Sequence, residues 1–130
     1  MPTNTSILNV VSRGFRATLE EQDDPVIWLD TVLRDQGLDV HVLLQGSAVG
    51  HLVRAQDASG LTIGARTQRQ APHLAQDLVR LARKGASLHY VEEDLAARAI
   101  SPDELIAEVR AISVRALPEF YQRFDQVWTW

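Results

Sequence analysis

Short apolar runs alternate with amphipathic stretches along the whole chain. A run that is apolar at nearly every position is typical of a strand in a parallel sheet, because such a strand is covered on both faces. Five such runs predict strands, at residues 6–12, 38–44, 88–91, 109–114 and 126–130. The polar Asn9 lies inside the first of them, and we interpret it as a polar group satisfied locally or at a sheet end.

The stretch between the first two strands predicts a helix. Asp24 followed by Pro25 is typical of a helix start, and Gly37 is typical of the residue after a helix end. The apolar positions within it predict the stripe that faces the core. That stripe consists of Ile27, Trp28, Val32 and Leu33.

Three further helices and two shorter helical turns are predicted. Pro72 opens one that carries leucines at helical spacing and stops at Gly85. Ser101, with proline next and Glu104 three positions on, forms a capping box that predicts a helix reaching about Glu108. Shorter helical turns are predicted at 48–53 and 93–99, and Pro118 starts the last helix.

Regular alternation of strands and helices predicts a parallel sheet with right-handed crossovers. We therefore predict one α/β domain over residues 1–130, a three-layer α/β/α sandwich on a five-stranded, mainly parallel sheet. Residues 54–70 are the least regular part of the chain. A segment of this kind is typical of a lid, a subunit contact or a mobile loop, and these alternatives stay open.

Composition excludes several classes of partner. The formal net charge is −4 and the basic residues do not cluster, so no nucleic-acid partner is predicted. No apolar run is long enough to span a bilayer, and the first six residues lack the features of a signal peptide. These observations predict a cytoplasmic protein with no membrane contact.

Motifs for common cofactors are missing as well. Neither a dinucleotide fingerprint nor a phosphate-binding P-loop occurs, so no cofactor is predicted. The four histidines, His41, His51, His73 and His89, do not form a helical i, i+4 pair, and no metal site is predicted. Ser47 has the wrong spacing from Gly46 for a nucleophile elbow, so we interpret it as a helix cap.

Two features at predicted strand ends are candidates for binding or chemistry. The turns at Arg13–Gly14 and Gly46–Ser47 can present backbone N–H groups to a small anion, with Arg13 adding a charge, although ordinary βα loops have the same pattern. Glu92 and Glu93 follow the third strand and are candidate general acids or bases. The alternative is that they only complement the dipole of the helix they begin.

Five segments in this order and spacing resemble the DsrE/DsrF-like family of small sulfur-relay proteins. They are residues 7–14, 38–47, 88–100, 117–120 and 125–130. The resemblance covers nearly the whole chain and implies a single α/β/α domain that assembles into trimers or hexamers. It also implies a cysteine, carrying a persulfide, at the end of the third strand.

The position of that cysteine falls on Val91, give or take one residue, and the 130 residues contain no cysteine. Because a thiolate is the nucleophile in sulfur transfer, the departure removes the activity that the resemblance implies. A cysteine introduced at position 91 would be expected to give an exposed thiol with a lowered pKa at a helix N-terminus.

Three interpretations stay open. The first is a non-catalytic, oligomeric DsrE-like protein that binds a small ligand or a partner protein. The second is a hydrolase- or transferase-type enzyme with Glu92 or Glu93 as acid–base and Arg13 as anion clamp. The third is a scaffold on which a sulfur-relay partner's cysteine docks beside Val91. We favour the first, since it needs only the fold and the missing cysteine; whether the chain is an enzyme stays undecided.

Overall fold

The computed structural model describes residues 5–15, 24–57 and 59–130. Its strands are β1 (Ser6–Val11), β2 (Asp39–Leu44), β3 (Thr62–Ile63), β4 (Arg66–Thr67), β5 (Ser87–Val91), β6 (Val109–Ile112) and β7 (Gln126–Thr129). Its α-helices are α1 (Pro25–Asp35), α2 (Leu74–Arg83), α3 (Glu92–Ala97) and α4 (Leu117–Tyr121). Short 3-10 helices cover Gly46–Leu52, Pro102–Glu104 and Val114–Ala116.

Five strands form one sheet in the order β6-β5-β2-β1-β7, and every pairing between neighbours is parallel. The predicted fold class is therefore confirmed. None of the helices in the described ranges is long and apolar enough to cross a membrane.

Helices cover the two faces of the sheet unequally. The connections β1 to β2, β2 to β5 and β5 to β6 all step in one direction, so right-handed crossovers place their helices on one face. That face packs the larger core, which includes Ile27, Leu78 and Leu95. The return from β6 to β7 leaves α4 on the opposite face, where Phe120 packs on a smaller core.

Helix α1 begins and ends as predicted, but its inward stripe is different. The Asp24 carboxylate caps the helix by accepting from the Val26 and Ile27 N–H groups. Trp28 is 58% exposed and Val32 is 37% exposed, so the prediction that both face the core is wrong. Ile27 is buried as predicted, and the other buried positions are Val26 and Asp30. The three lie on one side of the helix at i, i+1 and i+4 spacing.

The helix predicted from Ser101 to about Glu108 is wrong beyond its first turn. The capping box of Ser101 and Glu104 forms, but the 3-10 helix ends at Glu104. Leu105 and Ile106 are then buried, and their backbone pairs with the segment around Leu52 and Val53. Successive side chains of an extended chain point to opposite sides. Leu105 and Ile106 can therefore each be buried against a different part of the domain.

Helix α2 starts two residues later than predicted. Pro72 precedes the helix, and the His73 imidazole caps it by accepting from the Gln76 N–H at 3.2 Å. The leucines at 74, 78 and 81 are buried as their spacing predicts.

The irregular segment 54–70 contains a small hairpin. Strands β3 and β4 pair antiparallel around Gly64, with two residues each. Their residues are all exposed, and Leu61 and Ile63 are 59% and 65% exposed. A shallow depression separates the base of the hairpin from Pro72. The hairpin therefore projects from the domain.

Candidate functional site

Loops at the carboxyl ends of β1 and β2 are tied to each other. The Gly14 N–H donates to the Ser47 hydroxyl at 2.8 Å, and the Gln45 side-chain amide donates to the Ser12 hydroxyl at 2.8 Å. The Gly46 N–H donates to the Asp94 carboxylate of α3, also at 2.8 Å. Side-chain hydrogen bonds thus join the carboxyl ends of the neighbouring strands β1 and β2, and join β2 to α3, the helix that follows β5.

These contacts bear directly on the predicted anion site. The structure brings Gly14, Gly46 and Ser47 together as expected, but the two glycine N–H groups already have acceptors. Asp94 occupies the place at Gly46 that an anionic ligand would take. Arg13 is exposed and makes no ion pair with any residue that the structure describes. The N–H groups of Gly14 and Gly46 are therefore not free to bind an anion.

Packing at Gly46 requires glycine for two reasons. Its φ of +56° lies in the left-handed region, and an added Cβ would lie 2.7 Å from the Ser12 carbonyl oxygen. Gly37 also has a positive φ, of +85°, but a Cβ there would meet no atom of the described residues within 4 Å. Gly46 combines a strained backbone with a close contact, whereas Gly37 has the strained backbone alone. Comparing alanine substitutions at the two glycines therefore distinguishes the two effects.

We predict that Gly46→Ala lowers the free energy of unfolding by more than about 2 kcal/mol, because strain and a backbone clash add. Gly37→Ala serves as the control and should lose only about 1 kcal/mol, from strain alone. Urea denaturation measures both. Equal losses of unfolding free energy in the two variants would show that the close contact between Gly46 and the Ser12 carbonyl adds nothing to the cost of Gly46→Ala.

No hydrogen bond or ion pair among the described residues joins Arg13 to either candidate acid–base residue. The Glu93 carboxylate accepts from the Val114 N–H with both oxygens, at 2.9 and 3.1 Å, and so binds the loop after β6. Glu92 is exposed, and no described contact joins it to Arg13 or Ser47. This arrangement fits the alternative in which the acidic residues stabilise the start of α3 and its neighbouring loop.

Val91 lies in the smaller core. It is 1% exposed and packs with Leu8, Val10, Leu43 and Phe120. The expectation that a thiol at position 91 would be exposed is therefore wrong. Glu92, the next residue, is exposed at the first position of α3, within the one-residue uncertainty of the family's cysteine position.

A buried polar network that the sequence did not reveal joins β1, α1 and the residue after β7. Asn9 and Asp30 are fully buried, and the Asn9 amide donates to the Asp30 carboxyl. The Asn9 carbonyl oxygen accepts from the Trp130 indole N–H at 2.8 Å. Asn9 is thus satisfied, as interpreted, but by residues distant in the chain. The polar residue inside an apolar strand was the one sequence signal for this network.

The second carboxyl oxygen of Asp30 is buried and has no hydrogen-bond partner among the described residues. Burial raises the pKa of Asp30 to about 8; the Asn9 hydrogen bond partly offsets this effect and the nearby Asp24 charge adds to it. The group is therefore mostly a neutral carboxylic acid at pH 7, which is the form that a buried site without a cation tolerates.

Histidines have separate roles. His51 is buried and accepts from the Phe15 N–H at 2.8 Å, while His73 caps α2. His41 bonds the Ser87 hydroxyl and lies 2.9 Å from the Asp39 carboxylate. Within the described ranges, no group of three or more histidine and carboxylate side chains is placed to hold a metal ion.

Comparison with known proteins finds likeness in structure and not in sequence. No protein-family model and no curated protein sequence matches the chain. The chain is similar to the crystal structure of the ychN protein from E. coli, at 21% identity and a TM-score of 0.73, over 97% of this chain and 99% of that one. It is also similar to MTH1491, a protein of unknown function from Methanobacterium thermoautotrophicum. That match has 14% identity and a TM-score of 0.58, over 94% of this chain and 96% of that one. These likenesses establish the fold, in agreement with the predicted DsrE-like class.

Proposed function

We propose that the chain is a cysteine-free DsrE-like subunit that assembles with copies of itself, as a trimer or hexamer, and acts by binding instead of sulfur transfer. A cytoplasmic location and a link to sulfur metabolism, through a partner of the relay, belong to the same proposal. The DsrE-like fold and the absence of cysteine from the 130 residues motivate it. No side chain present can hold a persulfide.

Exposed apolar side chains on the β3–β4 hairpin carry the proposal. A two-stranded hairpin is only marginally stable in water when nothing packs against it. This one has two residues in each strand, and Leu61 and Ile63 expose more than half of their surfaces. Its backbone is closed by the Gln68 N–H donating to the Leu61 carbonyl at 2.7 Å. An ordered hairpin with apolar side chains in solvent is typical of a contact element.

Contacts at the strand ends support binding over catalysis. Glycine N–H groups there already have side-chain acceptors, and Glu93 is engaged with the Val114 backbone. No contact in the described part of the chain joins Arg13 to Glu92 or Glu93, so no observation favours the enzyme that uses these three groups. A self-associating protein needs no such contact.

Ile63→Asp is predicted to dissociate the assembly, because it places a charge in an apolar contact. Thr62→Asp is the matched control, since it adds the same charge at the neighbouring hairpin position, whose side chain points to the other face. Sedimentation velocity at micromolar concentration should show a smaller species for Ile63→Asp than for Thr62→Asp. Equal sedimentation of both variants and the wild type would refute the role of the hairpin.

A further inference from the structure

The sheet face that carries α4 holds a group of basic side chains with few acidic neighbours. His89 of β5 pairs in register with Arg110 of β6, so both side chains lie on this face. The His89 ring packs against Phe120 at 4.9 Å between centroids, and the Arg123 guanidinium lies 5.9 Å from the same Phe120 ring. Three basic groups from three elements thus surround one edge of α4.

His89 is unusual among the histidines because neither ring nitrogen has a hydrogen-bond partner among residues 5–15, 24–57 and 59–130. Its Nδ1 is buried, and leaving such a nitrogen unpaired costs about 1–3 kcal/mol. Burial, with the charges of His41, Arg110 and Arg123, lowers the pKa of His89 to about 4. The ring is therefore neutral at pH 7 while no anion is bound.

The arginines also lack counter-charges. Arg110 and Arg123 are exposed, and neither makes an ion pair with a described carboxylate. The acidic residue on this face, Asp39, is paired with His41. Glu119 precedes Arg123 by four residues in the chain, but no ion pair joins them. The charges that act on His89 are therefore all of one sign.

We propose that Arg110, Arg123 and His89 form a binding site for a small tetrahedral oxyanion, sulfate or phosphate, free or as the terminal group of a small molecule. Guanidinium groups match such oxyanions in charge and in geometry, through paired N–H donors. A bound dianion would offset the like charges and give His89 an acceptor. The site lies on one chain and away from the hairpin, so it goes beyond the proposed function and does not depend on assembly.

Sulfate is the first probe, because it remains a dianion between pH 5.5 and 7.5. Calorimetric titration at constant ionic strength should detect binding to the wild-type protein. Arg110→Gln and Arg123→Gln should each weaken it about tenfold, the loss of one charge-assisted contact. Arg83→Gln removes an equal charge from an exposed position on α2, on the opposite face of the sheet, and should change the affinity less than twofold. Equal weakening in all three variants, or no binding at 10 mM sulfate, would overturn the proposal.

Dependence on pH gives a second test. An anion favours the protonated ring, so sulfate should bind about tenfold more tightly at pH 5.5 than at pH 7.5. His89→Gln should remove this dependence and leave binding at pH 7.5 nearly unchanged. The other histidine on this face is His41, which is paired with Asp39. A dependence that survives His89→Gln would assign the proton to His41 and contradict the role of His89.

Glycerol 3-phosphate, compared with inorganic phosphate at pH 7.5, distinguishes the two sources of the oxyanion. Equal affinities indicate that the site accepts the terminal group of a larger molecule. Binding at least tenfold weaker for the ester indicates a site for the free ion. If both phosphates fail to bind while sulfate binds, recognition of tetrahedral oxyanions as a class is refuted.

Discussion

Asp30→Asn is expected to stabilise the protein by several kcal/mol at pH 9 and to have little effect at pH 4. In the wild type, the pKa of Asp30 is raised from 3.8 to about 8, chiefly by burial. Each unit of difference between folded and unfolded pKa corresponds to about 1.4 kcal/mol. Asparagine has nearly the same shape, and its amide oxygen can accept from the Asn9 amide as Asp30 does.

The direction of the pKa shift of Asp30 determines whether its contribution to stability rises or falls with pH. A carboxyl with a raised folded-state pKa is protonated in the folded protein while the unfolded chain has already ionised. The stability of the neutral form is therefore fully present below about pH 4 and is lost as the pH rises to about 8. His89 acts in the opposite direction between about pH 4 and 6.5, because its pKa is lowered. The contribution of His89 is the same in the wild type and in Asp30→Asn. It therefore cancels when the wild-type curve of unfolding free energy against pH is subtracted from that of the variant.

Urea denaturation at several pH values between 4 and 9 measures that difference. Asp103→Asn is the control, since Asp103 is an exposed carboxyl whose removal should give a nearly flat difference curve. A flat curve for Asp30→Asn as well would mean that Asp30 is ionised in the folded protein. In that case its buried oxygen would need a cation or donors that the described contacts do not include.

Phe120→Ala is expected to lower the free energy of unfolding by about 3–5 kcal/mol. Phe120 is 3% exposed and packs on Leu8, Val10, Leu43 and Val91. It also contacts the rings of His89 and Phe124. Among the described helices only α4 packs on this smaller core, so none of the others can compensate for the cavity. Domains of this size are typically stable by 5–15 kcal/mol, so the loss is a large fraction of the total.

Val114→Ala is the matched control for Phe120→Ala, because Val114 is apolar but 49% exposed. It should change the unfolding free energy by less than about 0.5 kcal/mol. Both variants are compared at one protein concentration, since self-association adds to apparent stability. A loss below 1 kcal/mol for Phe120→Ala would mean that α4 contributes little to the folded domain.

Strand runs and helix caps were enough to predict the fold, because each depends on neighbours in the chain. Asp24, Pro25 and Gly37 bound α1 as predicted, and the continuous apolar runs correspond to the parallel strands. The predicted stripe of α1 was right for Ile27 and Leu33 and wrong for Trp28 and Val32. Side-chain hydrophobicity favoured Trp28, whereas the helix faces the core with Asp30. Nothing local indicates that a carboxyl will be buried against a strand.

The candidate site was less predictable than the fold, because the residues that meet there depend on the order of the strands in the sheet. Gly14, Gly46 and Ser47 do come together, since their strands are neighbours, but Asp94 of α3, the helix after a third strand, closes the turn at Gly46. The burial of Val91 was likewise missed. Strand β5 ends at Val91 and α3 begins at Glu92, so an uncertainty of one residue separates the buried Val91 from the exposed Glu92.

The native mass of the wild-type protein tests the proposed function most directly. One chain has a mass of 14.5 kDa. Light scattering coupled to size-exclusion chromatography at micromolar concentration should give three or six times this value. A homogeneous species of 14.5 kDa across that concentration range would contradict the proposal that the chain works as an assembled DsrE-like subunit.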